Sequence, residues 1–157
     1  LGQSLLETSL VSEAEKLLQQ AKASKTTILL PIDVLVSTSL ESDHTDKVSV
    51  TQVKKKQAIF DVGPQTQALY REHIEKAQSV LWNGPVGVFE HPLYRNGTFA
   101  LAEAIASSQA FSLAGGGDTL AAINASGSTG FDYLSTGGGA MLAYCQNKAQ
   151  PGLVRLA

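Results

Sequence analysis

The chain alternates between two periodicities. In SEAEKLLQQAKA the apolar residues Ala14, Leu17, Leu18 and Ala21 recur at helical spacing, and Ser12 ahead of acidic residues predicts an N-cap. TTILLP is a short β-branched run, VLVS continues extended beyond the Pro31–Asp33 break, and KVSVTQV alternates like a half-buried strand. SLESDHTDK between them reads as a solvated loop. AIFDV predicts a further strand, and Pro64 opens a helix in which Leu69, His73, Ile74 and Ala77 return about once per turn. Three shorter strand-then-helix pairs follow: SVLW with GTFALAEAIASS, AFSL with DTLAAINAS, and YLS with GAMLAYCQNK.

Regular alternation of this kind predicts an α/β fold, a mostly parallel sheet with flanking helices in a Rossmann-like three-layer domain. At 157 residues, 43% hydrophobic, the chain is long enough for one compact domain. It opens LGQSLLE without an initiator methionine, its only methionine being Met141, so it reads as a piece of something longer whose sheet is incomplete. The net charge of −2 and the lack of a Lys/Arg-rich block argue against a nucleic-acid surface. No apolar run approaches the roughly 20 residues that cross a bilayer. The single Cys145 excludes an intrachain disulfide and is expected to be a small buried hydrophobe on a helix; a reducing compartment follows as the default.

Chemistry concentrates where glycines interrupt the strand-to-helix transitions. AGGGDT (114–119) and STGGGA (135–140) each stand between a strand and a helix, and WNGPVGVFE (82–90) follows a third strand. In a parallel sheet all three fall on the edge where ligands bind. A residue without Cβ lets an anion approach main-chain N–H groups at a helix start, with the positive end of the helix dipole behind them, so phosphate is the natural ligand. Asp118 would repel phosphate unless a divalent cation lay between them, which points to Mg²⁺, while the hydroxyl of Thr119 can donate to a phosphate oxygen. Other readings stand beside these: Asp118 as an N-cap, Thr119 as a helix-start residue, the triplets as packing devices, and Asn83 and Glu90 as turn residues.

The common phosphate-loop signatures, a metal cluster and a catalytic triad are all missing. His44, His73 and His91 have no Cys or Asp at ligand spacing and are read as incidental. None of the three glycine loops carries a lysine or arginine, although phosphoryl transfer usually draws on cations as well as amides and metal.

Taken in order, WNGPVGVFE, GGGDT and STGGGA closely resemble the phosphoglycerate kinase family, and LGQSLLE, LLPIDVLV, FDVGP and AFSLAGGGDTLAAI match it in its bacterial style. The resemblance covers nearly the whole chain and implies the later part of the C-terminal, nucleotide-binding domain, with the N-terminal substrate domain absent. It implies a glycolytic enzyme, monomeric and cytoplasmic, that moves a phosphoryl group between 1,3-bisphosphoglycerate and ADP to give 3-phosphoglycerate and ATP. By the same resemblance Asp118 engages the Mg²⁺ of the nucleotide, and Gly116, Gly117 and Thr119 contact its phosphates. Asn83 lies beside the phosphate chain, Glu90 accepts from the ribose, and Pro85, Val88 and Phe60 line the base pocket. Gly137, Gly138 and Gly139 present amides to the phosphoryl group in transfer. The lysines and the arginine that serve the family's phosphates lie in parts this chain does not match, so the chain alone is expected to be inactive; a nucleotide-binding or interaction module without chemistry is the alternative. YCQNKAQPG and VSTSLES depart from the family pattern.

Overall fold

In the computed structural model, which describes residues 2–150, backbone contacts divide the chain into two compact units, Leu1–Thr66 and Gln67–Ala157.

The first unit opens with a 3-10 turn, Thr8–Leu10, that runs straight into helix α1 (Val11–Ala23). The helix therefore starts ahead of Ser12: Leu10 stands at the cap position and no side chain caps it. Strands β1 (Asp33–Ser37), β2 (Asp46–Ser49) and β3 (Ala58–Val62) form a sheet in the order β2-β1-β3, and β1 is antiparallel to both neighbours. This corrects the expectation of a mostly parallel sheet for this half. The polar loop between β1 and β2 holds no helix, and without a crossover the chain can only turn back on itself. Ser37 and Ser42 hydroxyls tighten that return by donating to the His44 carbonyl. TTILLP forms no strand, and Ile28 and Leu30 stay exposed; KVSVTQV is extended only to Ser49 before a 3-10 turn at Val50–Gln52.

The centre of this unit is polar as well as apolar. Val34, Val36 and Val62 are buried, and so is Asp33 at 4% exposure. The Asp33 carboxylate accepts from the main-chain N–H of Gln65 (3.2 Å) and Thr66 (2.8 Å), and Thr66 Oγ1 lies 2.8 Å from its Oδ1. A strand carboxylate thus serves the first N–H groups of α2 (Pro64–Glu75), which begins at its proline as the sequence predicts. Burial pushes the Asp33 carboxyl up, but the bonds from Thr66 and Gln65 and the charge of Lys47 outweigh it, and the net shift is below the ordinary carboxylate range.

The second unit contains β4 (Ser79–Trp82), β5 (Phe111–Gly115) and β6 (Tyr133–Ser135), parallel and in that order, with α3 (Asn96–Ser107) joining the first two and α4 (Gly117–Ser126) the second pair. Here the predicted parallel architecture is present. Trp82 and Ala114 point to the face where Ala102, Ile105, Ala122 and Ile123 of α3 and α4 close the core with Ile74 and Phe89. Small alanines let these helices approach the sheet closely, and Trp82 stacks on Phe131 with ring centres 6.1 Å apart. On the other face α5 (Gly138–Cys145) lays Met141 over Gly115. Leu81, Phe111 and Tyr133, which alternate onto that face, are exposed at 45%, 58% and 61%. Cys145 is exposed, contrary to the expectation of burial: α5 buries only Gly138 and Met141, and its last turn carries Tyr144 and Cys145 into solvent.

Candidate functional site

Parallel pairing brings the C-terminal ends of β4, β5 and β6 to one edge of the second unit, and the three glycine loops leave from it. Asn83–Gly84, Gly116–Thr119 and Gly138–Gly139, with Leu142, line a single cavity of about 380 Å³. The loops are tied to one another by hydrogen bonds to main-chain carbonyls. Gly116 N donates to Ser135 O at 3.1 Å, and Asn83 Nδ2 donates to Gly115 O at 2.6 Å.

Two glycines at this edge have a steric reason. A Cβ on Gly138 would stand 2.7 Å from Gly116 Cα and 3.0 Å from Gly116 N, so the two triplets touch backbone to backbone. Gly116 also has φ of +103°, a conformation that residues with a side chain rarely adopt. Gly117 and Gly139, by contrast, face open space. The triplets therefore combine close packing with an open approach to amides.

Gly116 is the N-cap residue of α4 and Gly137 that of α5, and no side chain caps either helix. Their first N–H groups have no partner within the helix, which makes this edge suited to an anion. Asp118 is exposed in the first turn of α4 and lines the cavity rather than capping the helix. Thr119 is placed differently from what a phosphate contact through its hydroxyl requires: it is 1% exposed, and its Oγ1 accepts from Gly84 N at 2.7 Å.

Of the other predicted residues, Gly137 immediately precedes the cavity wall, while Pro85, Val88 and Glu90 continue the loop from Gly84, the first two half-buried and Glu90 exposed. Phe60 is half-buried on β3 in the first unit. Gly84, with φ of +99°, and Leu142 belong to the cavity but were not singled out from sequence. The Asn-Gly pair inside WNGPVG was the available signal for Gly84.

The histidines stay apart from this chemistry: His44 pairs with Asp46 at 2.9 Å in an exposed position, His73 Nδ1 lies 2.9 Å from Leu69 O, and His91 packs against Tyr94. Among the described residues no lysine or arginine lines the cavity, and no group of three His, Cys, Asp or Glu side chains could hold a metal. One exposed carboxylate beside open amides suits Mg²⁺ that is coordinated mainly by phosphate oxygens and water. No helix among the described residues is long and apolar enough to cross a membrane.

A family model described as phosphoglycerate kinase matches residues 1–148. The curated phosphoglycerate kinase of Tropheryma whipplei (strain TW08/27) is 43% identical over 161 residues, covering 97% of this chain and 38% of that protein. Among solved structures, phosphoglycerate kinase from Coxiella burnetii aligns at a TM-score of 0.90 with 40% identity, over 94% of this chain and 39% of that one. Phosphoglycerate kinase from Pyrococcus horikoshii OT3 aligns at 0.81 with 34% identity, over 93% and 36%. The chain thus spans roughly two-fifths of the length of these relatives.

Proposed function

The chain belongs to the phosphoglycerate kinase family, and from that premise we propose that its second unit supplies the phosphate-facing part of a Mg-nucleotide site for phosphoryl transfer between 1,3-bisphosphoglycerate and ADP, giving 3-phosphoglycerate and ATP. The observation that carries this reading is the convergence of three glycine loops on one cavity at the strand ends. Amides at the starts of α4 and α5 donate to the phosphate oxygens, that of Gly117 on one side and those of Gly137, Gly138 and Gly139 on the other, while the Gly116 N–H is held by Ser135 O and Gly116 serves by its missing side chain. Asp118 holds the cation, and Asn83 fixes the turn beside the phosphate chain. Pro85 and Val88 face the base, and Glu90 accepts from the ribose. Thr119 serves through its main chain, its hydroxyl being occupied by Gly84. Mg²⁺, when bound, neutralises phosphate charge and orients the transferring group. The full-length protein would act as a cytoplasmic monomer.

A second reading, nucleotide binding without turnover by this chain alone, is favoured by the absence of Lys and Arg from the cavity wall among the described residues. Both readings require binding. Trp82 reports on it, because its indole N–H donates to Gly84 O at 2.7 Å. Titration with MgADP is expected to change Trp82 fluorescence, and Asp118→Asn to weaken the apparent affinity about tenfold, the equivalent of roughly 1.4 kcal/mol. A flat titration, or one indifferent to Asp118→Asn, would refute the proposed site.

A further inference from the structure

Thr98, in the first turn of α3, is fully buried, yet its hydroxyl oxygen faces the loop that leaves β4. Thr98 Oγ1 accepts from Val86 N and from Gly87 N, each at 3.2 Å. Just before these residues, Gly84 is held at both ends, its N–H by Thr119 Oγ1 and its carbonyl by the Trp82 indole. Just after them, Phe89 N returns to Gly87 O at 2.9 Å and the Phe89 ring enters the core. Pro85 has no N–H of its own. Every donor of the stretch from Gly84 to Gly87 is therefore fixed by a group outside it, and Thr98 alone fixes two.

We infer that Thr98 is a positioning residue for the Pro85–Val88 wall: it touches no ligand, and it sets the face presented to the nucleoside through two main-chain N–H groups. This deepens, and rests on, the proposed nucleotide site. The phosphate cradle has its own ties, through Asn83, Ser135 and the contact of Gly116 with Gly138, none of which involves Thr98. The effect of Thr98 must therefore be selective for the nucleoside over the phosphates. A side chain of purely structural value would weaken both alike.

Thr98→Val keeps the shape of the side chain and removes the acceptor, leaving two part-buried N–H groups without it; Thr98→Ser keeps the acceptor and removes a methyl. Calorimetry with MgADP and with magnesium pyrophosphate is expected to show Thr98→Val about tenfold weaker for MgADP and within about twofold of the unaltered chain for pyrophosphate. Thr98→Ser should restore MgADP affinity to within about threefold. Equal loss of both compounds, or loss of neither, would overturn the inference. If the unaltered chain binds neither compound, the proposed function fails first, and amide hydrogen exchange then decides the inference. Val86 and Gly87 must be protected in the unaltered chain and in Thr98→Ser, and must exchange faster in Thr98→Val if that variant folds. Unprotected amides at these two positions in the unaltered chain would overturn it without recourse to any variant.

Discussion

Replacing Gly138 by alanine is expected to weaken MgADP binding by about a hundredfold and to lower the stability of the second unit by about 3 kcal/mol, the upper range for overpacking a tight interior. The added methyl would meet the Cα and N of Gly116 and lie 3.1 Å from Asn83 Nδ2. A backbone cannot change rotamer to make room, so the loops must part. Parting them strains the Gly116 N–H bond to Ser135 O and the Asn83 bond to Gly115 O, which together hold the cradle closed. Gly139→Ala is the control for stability, because its Cβ meets open space. Thermal unfolding of the two variants should separate them clearly. Equal stability of both would show that the backbone contact between the triplets is unimportant.

Asp33→Ala should cost about 3 kcal/mol of stability in chemical denaturation, combining the loss of a helix cap with the burial of N–H groups left without a partner. Thr66 and Gln65 lose their acceptor together, and Thr66 is itself fully buried. The same bonds predict a pH dependence. The folded-state pKa of Asp33 is lowered, so its contribution is fully present above the unfolded carboxylate value of about 4 and is lost as pH falls through the lower folded value. Against Asp33→Asn, the advantage of the natural residue should be constant near neutrality and shrink below about pH 4. An advantage that does not change with pH would remove the carboxylate's charge from the account.

The second unit was the more legible half. Each of its strands is followed by a helix of clear 3.6-residue period, and that alternation dictates parallel pairing and a common edge for the glycines. In the first unit, the same alternation rule was carried across SLESDHTDK, which has no helix to bring the chain round. Its polarity identified the loop, but the missing crossover was the signal for β1 and β2 to run antiparallel. TTILLP had strand composition without a ladder partner, and composition alone cannot supply one. The glycine triplets announced a site, yet which glycine packs and which faces outward depends on contacts across β5 and β6 that no linear pattern records. Thr98 was invisible for a related reason: in NGTFALAEAIAS it reads as an ordinary helix residue, and its partners Val86 and Gly87 lie 12 and 11 positions earlier.

The cradle's wall has a chemical simplicity that governs how it responds to its surroundings. Among the described residues lining it, Asp118 is the sole side chain capable of gaining or losing a proton; the rest is peptide, amide, hydroxyl and hydrocarbon. Dipoles of that kind carry no counterion to shed and no acid–base equilibrium to shift. The share of the pull on an anion that the main-chain dipoles supply therefore does not change with pH, whereas the ionisation of the guest does.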